Sequence, residues 1–284
     1  VATAVGILAG GPGALFWMWI AAFFGMATKY SEGFLAVKYR TIDSEGHVLG
    51  GPFYYIENGM GKKWKWLAKI FAFFGACVGL MGIGTFSQVN GISSAVVGFF
   101  DPNCENTVTI FGNTYSIVTV ISGVIIALCA GLVIIGGLKR ISSVSQVVVP
   151  FMALLYIIAV VVLLVCNITK IPAAIVEIIE GAFGIRPIAG GMLASMLISM
   201  RNGVARGIFS NESGLGSAPI AAAAAKTHEP VRQGLISMTG TFIDTIVICT
   251  MTGLSIVMMG SWSNEALQGV QVTTDAFQKG LHFL

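Results

Sequence analysis

The chain has 284 residues, of which 55% are hydrophobic and only 10% charged, with a net charge of +3. Soluble domains carry about 25% charged residues, so a mean hydropathy of +0.85 excludes an ordinary water-soluble domain. The few basic residues are scattered and give no footing for nucleic acid, which leaves a polytopic membrane protein in a lipid bilayer as the expected class.

A membrane-spanning helix needs about 20 mostly apolar residues. Residues 1–9 are too few and read as half a helix, after which Gly10-Gly11-Pro12-Gly13 leads into a long Phe- and Trp-rich span at 13–37. Residues 48–61 end in Gly-Met-Gly before a basic, Trp-containing helix start, and fit a short interfacial helix with Trp64 and Trp66 at headgroup level. Residues 64–100 exceed one bilayer thickness, which tilt, protrusion or an interfacial start accommodates. Plain spans follow at 116–138 and 144–168, and the spaced apolar and acidic residues of 172–180 read as a short amphipathic helix. Residues 189–225 form a span with a polar break inside it, and 234–259 form the sixth full span.

The loops alternate in charge. Lys38, Arg40, Lys62, Lys63 and Lys65 lie between the first two full spans, while 101–114 holds Asp101 and Glu105 without a base. Lys139 and Arg140 come next, then Glu177 and Glu180 against Arg186, then Lys226 and Arg232, then Glu265 and Asp275. Basic loops face the cytoplasm, and the alternation fits one topology throughout.

The chain starts without Met inside an apolar stretch, and 276–284 reads as the beginning of a further hydrophobic segment. A fragment truncated at both ends is therefore expected, forming a single transmembrane domain over 1–284. Its five cysteines (Cys77, Cys104, Cys129, Cys166 and Cys249) lack the spacing of a metal site and read as packed free thiols. No Ser/His/Asp set, phosphate loop or zinc motif occurs, so an enzyme is not expected.

The break reads Phe209-Ser-Asn-Glu-Ser-Gly-Leu-Gly-Ser-Ala-Pro219. Hydrocarbon tolerates non-helical backbone only where protein or a water-filled cavity surrounds it. Interrupted membrane helices expose N–H groups at one half-helix end and C=O groups at the other, which bind carboxylates and cations. A half-helix starting near Ala218 would have Ser217 as its N-cap and Pro219 in its first turn. Gly214 and Gly216 would permit close backbone approach, Phe209 would wall the site, and Ser210 and Asn211 would offer polar groups. A kink whose polar residues cap one another is the bland alternative. Glu212 has two readings, a functional carboxylate or a partner for Arg206 or Arg201. Lys29 and Glu32, near the cytoplasmic end of the first full span, read as structural, by snorkelling or by pairing.

Gln88 and Asn90 lie deep in the second full span on different faces, so one of them reaches a cavity, and Gln88 is the candidate. Asp244 is either bonded to Thr241 and Thr245 or linked to an ion. Residues 1–13 and 219–234 also echo one another: each is a small-residue half-helix, a turn and a long span. Their opposite orientation is what an inverted repeat predicts. A pore lined by the break, and an intramembrane enzyme or scaffold subunit, are the competing classes.

The stretch Gly-Gly-Pro-Gly-Ala-Leu-Phe-Trp-Met-Trp at 10–19, Gly-Gly-Pro-Phe-Tyr-Tyr at 50–55 and Arg206-Gly-Ile-Phe-Ser-Asn-Glu-Ser-Gly-Leu-Gly-Ser-Ala-Pro219 resemble the alanine or glycine:cation symporter family. The resemblance implies an all-α transporter of the amino-acid/polyamine/organocation type with five-plus-five inverted helices, here in part, from the second half of helix one through helix seven and the approach to helix eight. It implies symport of a small neutral amino acid, alanine or glycine, with Na+ as coupling ion and no other cofactor. Alternating access, a monomer and the bacterial or archaeal inner membrane go with it. Substrate contacts would come from Thr3, Gln88, Phe209, Ser210, Asn211, Gly214, Gly216 and Ser217, with no sodium ligands assigned. Serine as substrate, D against L isomers and H+ as coupling ion stay open.

Overall fold

A computed structural model describes residues 1–284 apart from 45–46, 83–84, 104, 111, 186–190, 265 and 282–284, and apart from the side chains of 110, 138 and 139. Cys104, Arg186, Glu265, His282, the side chain of Lys139 and the first residues of the expected 189–225 span therefore lie outside the described residues.

The expected half-helix is α1 (Ala2–Gly10), and a turn with Gly11 at φ 70° leads to α2 (Ala14–Lys38). A two-stranded hairpin, β1 (Thr41–Ile42) with β2 (Val48–Leu49), precedes α3 (Pro52–Tyr55), which continues through a π-turn at Ile56–Met60. Residues 52–60 of the expected 48–61 helix are thus helical, while Val48–Leu49 is a strand. The one long span expected at 64–100 holds two helices, α4 (Lys65–Leu80) and α5 (Thr85–Phe100), within a single stretch long and apolar enough to cross a membrane. Gly82 takes φ 62° at the junction, a left-handed step that stops a right-handed helix. A second hairpin, β3 (Thr107–Ile110) with β4 (Asn113–Ser116), fills the acidic loop. The two hairpins qualify the all-α expectation without displacing it, since 78% of the described residues are helical.

Helix α6 (Ile117–Ile134) is capped by the Ser116 hydroxyl, which accepts from the Val118 N–H. Helix α7 (Gly137–Cys166) begins three residues after α6 ends, so Lys139 and Arg140 stand in its first turn and not in a loop. The amphipathic helix is α8 (Ile171–Ala182), and the broken span is α9 (Met192–Asn211) followed by α10 (Ala218–Ala223). The last full span is α11 (Pro230–Thr241), a π-helical stretch Phe242–Cys249 and α12 (Thr250–Met258). Of the segment expected to begin at 276–284, residues 276–280 close α13 (Gln271–Gly280), which carries a Lys279–Asp275 pair at 2.7 Å, and 282–284 lie outside the described residues.

Among the described residues four helical stretches are long and apolar enough to cross a membrane, Lys62–Phe100, Ile117–Ile134, Arg140–Cys166 and Pro230–Met258. Six full spans were expected. α2 and α9 reach 25 and 20 residues but carry Lys29, Glu32, Arg201 and Arg206, so their length qualifies and their polarity does not.

The core gathers Ile7 and Ala4 of α1, Leu15 and Met18 of α2, Leu163 of α7, Ile178 of α8, Ile256 of α12 and Val272 and Ala276 of α13. α2 packs along α11 and α9, and α1 along α9. Small residues set these distances: a Cβ on Gly33 would fall 2.5 Å from Ser237 Oγ, and one on Gly203 would fall 2.3 Å from the Ala14 carbonyl. In lipid, helix association relies on such close approach because apolar side chains gain little by leaving hydrocarbon. Trp17 Nε1 donates to the Ala182 carbonyl at 3.0 Å and Trp19 Nε1 to Thr250 Oγ1 at 2.7 Å, joining α2 to α8 and α12.

Candidate functional site

α9 stops at Asn211 because the next residue, Glu212, turns left-handed at φ 56°. Glu212 is the one non-glycine residue with positive φ among the described residues, a conformation that costs about 1–2 kcal/mol outside glycine. Gly214 and Gly216 take φ 83° and 78°, so three left-handed steps in five residues separate α9 from α10.

The side chain of Asn211 organises the break. Its Oδ1 accepts the Ser213 N–H at 3.0 Å, a local turn typical of Asn. Its Nδ2 donates to Thr245 Oγ1 at 3.1 Å, and the Thr245 hydroxyl donates in turn to Asp244 Oδ2 at 3.0 Å. Ser213 Oγ lies 3.3 Å from Thr241 Oγ1. Asn211, Ser213, Thr241 and Thr245 are all buried, so a polar seam ties the break to the last full span. The π-helical stretch Phe242–Cys249 holds Asp244, Thr245 and Cys249 on this seam, and such stretches recur at functional sites.

Ser210 Oγ meets Cys249 Sγ at 3.5 Å, and Cys249 also bonds the Thr3 side chain. Thr3, Ser210 and Asn211, expected from sequence to share a site, are thereby brought together through Cys249 and the π-helical stretch. Cys249 is the residue that sequence missed here; as a thiol in an apolar run it carried no polar signal.

Four expectations change. Ser217 stands at the start of α10 but has helical backbone and makes no cap bond; its hydroxyl donates to Glu212 Oε2 at 3.0 Å. Glu212 is accordingly bonded within the break, and among the described residues it pairs with neither Arg201 nor Arg206. Phe209 lines a groove of about 540 Å3 along α9 with Ile198, Arg201, Asn202, Ala205 and Arg206, which contains neither Ser210 nor Asn211. Gln88 is exposed on α5, whereas Asn90, Ser87 and Ser94 face a polar recess of about 380 Å3 beside Val1, Gln268 and Gln271.

Lys29 and Glu32 serve the break separately. Lys29 Nζ donates to the Asn211 carbonyl at 2.8 Å, placing a cation at the C=O end of α9. The Glu32 carboxyl faces the backbone N–H groups of Gly214 and Gly216 and is 8% exposed, with Oε2 lacking a hydrogen-bond partner. Beside it, burial and the Glu32 charge push the Tyr55 phenol up to about 12, so Tyr55 stays a neutral donor. Among the described residues no cluster of three His, Cys, Asp or Glu side chains is placed to hold a metal ion; the oxygens on the seam are hydroxyls, an amide and single carboxylates.

The sequence profile of the sodium:alanine symporter family matches residues 1–283. The chain is 52% identical over 282 residues to a protein of Haemophilus influenzae named an uncharacterized transporter, covering 99% of this chain and 58% of that one. It is 47% identical over 255 residues to the sodium/alanine symporter AgcS of Methanococcus maripaludis, covering 88% of this chain and 52% of the relative. A probable sodium/glutamine symporter of Bacillus subtilis, GlnT, is 39% identical over 271 residues, 95% of this chain and 52% of its own length. The chain spans about half the length of the curated relatives it matches.

Proposed function

The chain belongs to the sodium:alanine symporter family, and from that footing we propose that it forms part of a secondary active symporter importing a small neutral amino acid with Na+. The observation that carries this reading is the break between α9 and α10, where the buried polar side chains of Asn211 and Ser213 and three left-handed residues at 212, 214 and 216 separate two helices. A neutral substrate with a carboxylate and an ammonium needs both donors and acceptors, which Thr3, Ser210 and Asn211 supply within one seam. In this reading those three residues meet the substrate, and Gly214, Gly216 and Ser217 give the break its shape. Phe209 and Gln88 face elsewhere and are the assignments the geometry supports least.

Alanine or glycine is the proposed substrate. One relative's name specifies alanine and another's glutamine, so the family accommodates side chains of different size. The packing of α2 against α11, the first part of the last full span, each following a half-helix, supports an inverted repeat, in which the break would open to the two sides in turn. The proposed setting is a bacterial or archaeal inner membrane, with the basic segments 38–65 and 226–232 cytoplasmic. The proposed active unit is a monomer, and no enzymatic step is proposed.

Uptake of radiolabelled alanine by the complete protein in proteoliposomes tests this. Saturable uptake that follows an inward Na+ gradient is expected, with glycine competing. Uptake that persists unchanged when the gradient is collapsed would overturn sodium coupling, and non-saturable flux would favour a pore.

A further inference from the structure

Half-helix α10 is held on its far side by a segment outside the polar seam. Helix ends leave carbonyls without partners, and those beyond α10 turn to one side chain. Arg40 Nη1 donates to the carbonyls of Ala223 at 2.8 Å and Ala225 at 2.6 Å, and Nη2 donates to that of Thr227 at 2.7 Å. The guanidinium fork matches this arrangement, because its donors diverge in a plane and stay charged.

The chain around Arg40 is shaped to the same half-helix. A Cβ on Gly50 would fall 2.3 Å from Ala223 Cβ, and one on Gly51 2.8 Å from Ile220. At the other end of α10, Gly216 lies against Pro52 and Phe71. Arg40 and Gly50, Gly51 and Pro52 therefore grip α10 from its start to the turn after it, although some 180 positions separate them in sequence. Arg40 sits two residues beyond the end of α2, the helix whose Lys29 caps the carbonyl end of α9 and whose Glu32 faces the break.

We infer that Arg40 is a positioning residue for the site, a latch that fixes the carbonyl end of α10 and thereby the polar groups of 212–217. This rests on the transport function proposed above. Arg40 touches neither the seam nor Thr3, so its effect passes through the half-helix. Letting α10 swing away from 40–52 requires all three bonds to break together.

The test compares wild type, Arg40→Ala and Arg40→Lys in the complete protein, by hydrogen–deuterium exchange and by alanine uptake. In Arg40→Ala the amides of 218–227 exchange faster by about tenfold or more while 192–208 keep the wild-type rate. The KM for alanine rises by more than the maximal rate falls. Arg40→Lys lies between, because an ammonium cannot span three diverging carbonyls. Wild-type exchange at 218–227 in both variants overturns the latch, as does an acceleration spread equally over 192–208. If Arg40→Ala does not accumulate in the membrane, Arg40→Lys decides by the same two criteria. If the wild type takes up no alanine, the transport function fails and the exchange comparison still judges the latch.

Discussion

Two helix breaks, both rich in glycine, do opposite things in this molecule. The one between α1 and α2 is pressed against a neighbouring backbone, with single side-chain bonds to its carbonyls. Gly13 lies so near α8 that a Cβ there would fall 2.2 Å from the Ala182 nitrogen, and the buried Ser199 hydroxyl donates to the Gly10 carbonyl. The one between α9 and α10 is closed by side chains: Asn211, Ser213, Thr241 and Thr245 within, Lys29, Glu32 and Arg40 outside. A glycine-rich interruption is therefore a packing joint where a neighbouring backbone lies directly against it. It is a candidate site where a network of buried polar side chains surrounds it, because side-chain bonds exchange partners without moving a helix.

Substitutions in the two breaks separate these roles, and Gly13→Ala carries the largest expected effect. Its backbone at φ −62° admits alanine, but the added methyl overlaps the α8 backbone, which has no side chain to move aside. A loss of about 3 kcal/mol is expected, read as a lower melting temperature and poor recovery of folded protein. Stability equal to wild type would show that the first joint is looser than its packing indicates.

Asn211→Ala comes next. It removes the acceptor for the Ser213 N–H and the donor to Thr245, and leaves buried groups unpaired at a cost of about 2 kcal/mol. Here function should fall further than stability: alanine uptake at low substrate drops by about tenfold while the protein still reaches the membrane. If uptake instead falls only in proportion to the amount of folded protein, the second break is also a joint. The smallest effects belong to exposed partners. Ser217→Ala removes one bond to Glu212 and should shift stability by no more than about 0.5 kcal/mol. Asn58→Ala, which loses a bond to the Tyr39 carbonyl, should leave uptake at its normal level. Equal uptake by Asn58→Ala and Asn211→Ala at equal surface expression would count against the site.

The second break was visible in the sequence because a run of Ser, Asn and Glu stands out against hydrocarbon, and α1, α2, α9 and α10 follow from that contrast. The partners of the break were not visible. Lys29, Glu32 and Arg40 read as helix-end charges, and nothing local says that Asn211, Gly214 and Ala223 are what they meet. Ser217 was misread for a related reason: a Ser before Ala-Pro has the pattern of an N-cap, and only the fold shows its hydroxyl turned to Glu212. The hairpins escaped notice because strands of two to four residues carry too little alternation, and the division of 64–100 lay in a single left-handed glycine inside an apolar run.

The π-helical stretch Phe242–Cys249 holds more residues per turn than an α-helix, in effect a residue in surplus. Removing a single codon there would leave length and hydropathy almost untouched and would restore an ordinary helix. It would also rotate one end of the span against the other by about 100°. Thr241 and Cys249 could then no longer both look toward Ser213 and Ser210. For anyone aligning relatives of this chain, a one-residue gap at this point marks a change of facing, and a matrix of substitution scores would pass over it as trivial.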